Sequence, residues 1–191
     1  MYHPSSNPQA IRSKDRMIRG LLTLMEVELY PEITVTQICQ EAEVSRQTFY
    51  RNFDSKEDIL IYHLHCLLDT YLRNLHTRDS RSLYAQSLFE HLPFSHRLLT
   101  LLWRNHLFFL LREVLLDYME VVRQYIPFAQ ALEGPSRDYF SDFVIDTCLS
   151  VLSRWVENDF RESPKTLGRI ITLLFSGLTG TYAETPEPGN A

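Results

Sequence analysis

Between Ser45 and Lys56 the chain crowds Ser45, Arg46, Gln47, Thr48, Tyr50, Arg51, Asn52 and Lys56 around two apolar anchors, Phe49 and Phe53. These are hydrogen-bond donors with no base, nucleophile or carboxylate pair among them, so their chemistry is recognition rather than bond-making. Arg and Gln can address purine edges through two hydrogen bonds at once, Thr methyls can touch thymine methyls, and Tyr and Lys can hold phosphate. The signatures of bond-making sites are missing elsewhere. No GxxxxGK[ST], GxGxxG, GxSxG or HExxH pattern occurs, and the whole chain holds six glycines. His63 and His65 are two apart and face different sides of a helix, while His91, His96 and His106 lack a local ligand pattern. Cys39, Cys66 and Cys148 are odd in number and widely spaced, which points to buried free thiols rather than a zinc site or disulfide framework. No catalysis, metal or cofactor is expected.

The elements that must hold the donors follow from helical periodicity, which runs through almost the whole sequence. Ile11, Ile18, Leu21, Leu22, Met25 and Leu29 form one stripe, ended by Pro31. Thr34 and Gln37 have capping-box spacing, with Ile33 and Ile38 as a hydrophobic staple, and open a short helix to about Ala42. Ser45 caps a third helix to about Phe53, and Ser55 a fourth whose apolar positions continue to Leu75. Further helices are expected over about 83–92, 95–126 (one long or two in tandem) and 136–160, and a last one opens at Ser163-Pro164. Thr185 to Ala191 reads as a disordered tail. No window shows sustained β alternation, so the fold class is all-α.

Two short helices joined near Glu43 to Ser45 make a helix-turn-helix, with Arg46, Gln47, Tyr50 and Arg51 on the half that enters the major groove. At this point the stretch "ITVTQICQEAEVSRQTFYRNFDSKEDIL", residues 33 to 60, resembles the N-terminal region of the TetR family of bacterial transcriptional regulators. The resemblance implies recognition contacts from Arg46, Gln47, Thr48 and Tyr50, and phosphate contacts from Thr36, Gln37, Asn52 and Lys56. It departs at Glu43, where the family usually has Gly. "SRWVENDFRESPKTLGRIITLLFSG" is similar to the C-terminal pattern of a Firmicutes-type branch of the same family.

These readings divide the chain into a helix-turn-helix domain, 1–60, and a ligand-binding and dimerisation domain, 61–191. The last two helices carry wide apolar faces, Phe140, Val144 and Val151 on one and Leu167, Ile170, Ile171, Leu174 and Leu178 on the other, suited to a homodimer contact. Phe89, Trp103, Phe108 and Tyr118 are the aromatic candidates for an effector pocket. The expected partners are double-stranded DNA, a second copy and a small-molecule effector. The net charge of −5 permits this because basic residues gather at Arg12 to Arg19 and Arg46 to Lys56. Arg104, His106, Arg112 and Glu113 interrupt the richest apolar runs, so no membrane span is expected, and polar Tyr2 to Ala10 has no signal-peptide core; the expected location is the cytoplasm. The expected function is a ligand-responsive repressor. Two rivals remain: a regulator controlled by a protein docking on the C-terminal domain, and a helical ligand carrier or enzyme that no longer binds DNA.

Overall fold

The computed structural model describes residues 7–75, 94–124 and 126–178, and every regular element among them is helical. In order they are α1 (Pro8–Val27), a 3₁₀ turn (Tyr30–Glu32), α2 (Val35–Glu41), α3 (Arg46–Asn52), α4 (Lys56–Leu75), α5 (His96–Arg104), α6 (Phe108–Arg123), α7 (Pro127–Gln130), α8 (Pro135–Glu157) and α9 (Pro164–Leu178). The expected helix over 83–92, Phe89 with it, and the tail from Thr185 lie outside the described residues.

Local chemistry sets most of the boundaries. Asn7 accepts from the Gln9 N–H and Pro8 takes the first helical position, so α1 starts before its apolar stripe does. Thr34 and Gln37 form both halves of the capping box that opens α2. Ser45 Oγ accepts from the Thr48 N–H to open α3, and Ser163 Oγ does the same for Thr166 in α9. Of the two readings of 95–126, two helices in tandem is the one found, with the break at Asn105–Leu107, where neither Gly nor Pro stands. There His106 adopts φ +57°, its N–H reaches the Trp103 carbonyl, and the Leu107 N–H reaches the Leu102 carbonyl. That is the Schellman pattern of a helix end with a side chain in the place usually given to glycine.

A single hydrophobic cluster begins with Met17, Leu21 and Met25 of α1. It takes in Ile38, Phe49 and Leu60, and continues into Leu99, Leu102, Leu111, Trp155, Leu167 and Ile171. The boundary expected at 60/61 falls inside α4, and the packed interior runs across it. A smaller cluster under α7 joins Met119, Ala129, Phe140, Val144 and Ile145.

Polar links tie the layers as well. Tyr118 on α6 donates its hydroxyl proton to Asp69 at 2.8 Å and shares a 3.0 Å hydrogen bond with Nδ1 of buried His65. Burial, and then the Asp69 hydrogen bond, hold the Tyr118 hydroxyl well above its ordinary titration range. Arg112 reaches both Asp142 and Asp146 of α8. Buried Arg123 closes the α7 turn by donating to the carbonyls of Ala129 and Leu132.

Candidate nucleic-acid interface

Phe49 has no exposed surface, and its ring packs against Phe53 at 6.3 Å between centroids and edge-on to Tyr50 at 5.2 Å. That anchor fixes the rotation of α3 about its own axis. Arg46, Gln47 and Tyr50 consequently face outward, and none of them makes a hydrogen bond to another described residue. Thr48 is half-buried and shares a 2.9 Å hydrogen bond with Ser45. Exposed Thr36 stands in the first turn of α2, beside this face in sequence order.

The turn between α2 and α3 is a second Schellman helix end. Glu43, the residue standing where the resemblance leads one to expect Gly, adopts φ +48°. Its N–H bonds the Gln40 carbonyl, and the Val44 N–H bonds the Cys39 carbonyl at 2.9 Å. A non-Gly residue here costs on the order of 1 kcal/mol. Arg16 of α1 offsets it by donating to the Glu43 carbonyl at 2.6 Å and to its carboxylate at 3.0 Å. Close by, a Cβ on Gly20 would lie 3.2 Å from the Ala42 backbone nitrogen, so the two helices meet where α1 offers no side chain.

Several residues expected at the interface are engaged inward. Lys56 directs its ammonium not to solvent but to the carbonyl oxygens of Tyr30 at 2.6 Å, Ile33 at 2.8 Å and Pro31 at 3.3 Å. It also lies 4.4 Å from the centre of the Tyr30 ring. In this arrangement three carbonyls around the 3₁₀ turn, rather than the phosphate expected of it, hold the charge. Gln37 is likewise occupied, closing the capping box with its carbonyl and donating its amide to Glu28 at 2.8 Å. Asn52 donates back to the Thr48 carbonyl at 2.7 Å. The basic run on α1 is halved in the same way. Lys14 is buried with its ammonium 4.3 Å from the Tyr62 ring centre, and Arg16 serves Glu43, leaving Arg12 and Arg19 outward.

Lys56→Met should therefore act on the fold. Removing a charged donor from three carbonyls should lower stability by about 1–3 kcal/mol. The salt dependence of DNA binding should keep its slope, whereas loss of a phosphate contact would lower that slope by about one. Thermal melts beside binding titrations at several salt concentrations separate the two.

Of the aromatic candidates in the C-terminal part, Trp103 and Phe108 meet at a cleft of about 670 Å³ where α5 turns into α6, opposite the end of α8. Tyr118 is elsewhere, its hydroxyl consumed by His65 and Asp69. The apolar faces of the last helices divide. Phe140 and Val144 belong to the smaller internal cluster, Leu167 and Ile171 to the main one, and Val151 packs partly against the latter. Ile170 and Leu174 are exposed, joined by Leu173 on α9 and by Tyr139 and Phe143 on α8.

Comparison with known proteins agrees with this geometry. Residues 24–62, spanning α2, α3 and the first turns of α4, match the family of bacterial regulatory proteins of the tetR type. Residues 84–177 match a transcriptional regulator C-terminal region. The chain belongs to the TetR family. Both matched families are described as those of transcriptional regulators. The HTH-type transcriptional regulator TcmR of Streptomyces glaucescens is 34% identical over 69 residues, a match covering 36% of this chain and 30% of TcmR's length. In fold, this TetR-family chain is similar to Lin0861 of Listeria innocua, with a TM-score of 0.76 at 12% identity over 93% of this chain and 96% of that one. It is also similar to the fatty acid degradation regulator FadR of Bacillus halodurans, with a TM-score of 0.62 at 19% identity over 90% and 96% of the two chains. No helix among the described residues is long and apolar enough to cross a membrane.

Proposed function

We propose that this TetR-family regulator acts as a homodimer on a palindromic operator, represses by occlusion, and is released by a small molecule. The observation that carries the reading is the outward face of α3: Arg46, Gln47 and Tyr50 are exposed, with no side-chain hydrogen bond to another described residue, while Phe49 locks the helix beneath them. Arg46 and Gln47 read base edges, Tyr50 and Thr48 contribute flanking contacts, and exposed Thr36 approaches the backbone. Asn52 keeps its side-chain oxygen and a position at the end of the helix for the same backbone. One short helix spans few base pairs, so two copies are needed to read half-sites about 34 Å apart. The exposed Ile170, Leu173 and Leu174 of α9, with Tyr139 and Phe143 of α8, support pairing of these helices with their symmetry mates. An effector that prefers the arrangement with misplaced recognition helices shifts the population away from DNA.

Selection of binding sites from random duplex DNA with the purified protein tests this. An inverted repeat should emerge. On that sequence Arg46→Ala should cost about 1–3 kcal/mol and relax preference at one base position per half-site. Unchanged base preferences in Arg46→Ala would remove α3 from the role of reader.

A further inference from the structure

We infer that the cleft where α5 turns into α6 binds an apolar carboxylate, and that the DNA-binding helices feel its occupation through Asn105. The second half rests on the regulator reading above; the first does not. The cleft, about 670 Å³ in volume, lies between that turn and the last turns of α8. Its size is within the range of roughly 300–1,000 Å³ typical of small-molecule sites. Trp103, Phe108 and Phe109 form its walls, and two of these rings stand open, Trp103 at 39% exposure and Phe109 at 59%. Rings held open on a concave surface suit an apolar body that covers them.

The charge beside the rings selects the other end of the ligand. Arg104 lines the cleft, is exposed, and forms no ion pair or hydrogen bond with another described residue. Glu157 lines it too, but Arg154 stands 3.5 Å from that carboxylate and offsets its charge. The cation left over is a planar guanidinium, which accepts a carboxylate through two parallel hydrogen bonds. The Ser153 side chain on the opposite wall adds a neutral polar group. A cationic ligand would meet Arg104 unfavourably, and a small hydrophilic anion would leave the rings uncovered. An amphiphilic monocarboxylate satisfies both.

Asn105 connects this site to the DNA-binding helices. It sits between cleft residues Arg104 and His106, and its Oδ1 accepts the Tyr30 N–H at 2.8 Å. The Tyr30 carbonyl in turn holds Lys56 at the start of α4, and the same 3₁₀ turn leads into the Thr34 cap of α2. His106, at φ +57°, is already in a sparsely populated conformation, so the turn has few ways to yield to a ligand except by shifting Asn105.

Calorimetric titration of the full-length protein, without DNA, tests the site. The probes are octanoate and 2-naphthoate, with 1-octanol and 2-naphthol as uncharged counterparts. Each acid should bind at least about tenfold more tightly than its alcohol. Arg104→Gln should bring the acids down to the level of the alcohols, and Phe109→Ser should weaken both. Both side chains are exposed, so melting temperature and sedimentation mass should stay at wild-type values. Equal binding of acid and alcohol by the wild type, no acid binding up to millimolar concentration, or unchanged acid binding in Arg104→Gln overturns the site. So does a changed sedimentation mass in Phe109→Ser, which would make the cleft a contact between copies. For the coupling, Asn105→Ala should keep acid binding but lose the acid's effect on DNA affinity, and Asn105→Asp, which keeps the acceptor, should regain it. An undiminished effect in Asn105→Ala overturns the coupling. A wild-type protein that binds acids but no DNA would instead refute the regulator reading and leave the site standing.

Discussion

Phe49→Ala should lower the stability of the whole chain by about 3–5 kcal/mol, the range measured for emptying a buried aromatic site. The ring is fully buried, touches Phe53 and Tyr50, and belongs to the cluster that runs from Met17 to Ile171. Few neighbours can collapse into the space, because α1 and α2 already approach as closely as Gly20 and Ala42 allow. Domains of this size hold only about 5–15 kcal/mol in total, so the loss is about a fifth or more of the margin. Chemical denaturation should show a lower midpoint with an unchanged slope, and Phe49→Leu should recover part of the difference. DNA binding should fall at least in proportion to the unfolded fraction, without a selective change of base preference. A melt indistinguishable from wild type would mean that α3 is not seated on this ring.

Leu173→Glu combined with Leu174→Glu should turn a dimer into a monomer and weaken operator binding about 10²–10⁴-fold, the range lost when two linked contacts become independent. Both side chains are exposed within the subunit, at 69% and 48%, so charging them leaves the subunit's own core intact. The wild-type contact should bury about 1,200–2,000 Å². Sedimentation equilibrium should give twice the chain mass for the wild type and the single mass for the variant, with equal melting of the isolated subunit. Binding to a single half-site should be the same for both proteins. A wild-type protein sedimenting as a monomer, or a variant retaining full operator affinity, would defeat the pairing model.

Features governed by neighbours in sequence were legible. The Thr34–Gln37 box, the Ser45 cap and the inward pair Phe49 and Phe53 depend on residues within four positions, and the structure places them as their spacing requires. Two helices in tandem over 95–126 were one of the two readings, but the place of the break at Asn105–Leu107 was not legible, because helix ends are read from Gly and Pro, and here His106 takes the left-handed conformation without either. Polar tips were harder still. Periodicity tells which side of α4 carries Lys56, but its ammonium is captured by carbonyls 23 to 26 residues earlier in the chain. Tyr118 looked like a pocket aromatic until the opposing helix supplied His65 and Asp69. The wide apolar faces of α8 and α9 posed a related problem. A single stripe served two purposes, burying Leu167 and Ile171 inside while leaving Ile170 and Leu174 outside, and hydrophobicity alone does not divide it.

The continuous interior has a consequence for how such a regulator can be rewired. Domain swaps between relatives assume a seam, a place where one reading head can be cut off and another attached. Here α4 crosses the nominal junction, Lys56 is fastened to the turn before α2, and Asn105 reaches back to Tyr30. A chimera joined at residue 60 would bring foreign side chains against Leu64, Leu99 and Leu102, all of them fully buried in the shared cluster. A transplant that works must carry α4 and the partner surface of α5 along with the recognition helix. On the proposed reading of α3, specificity is therefore more readily altered one exposed residue at a time, at Arg46 or Gln47, than by exchanging modules.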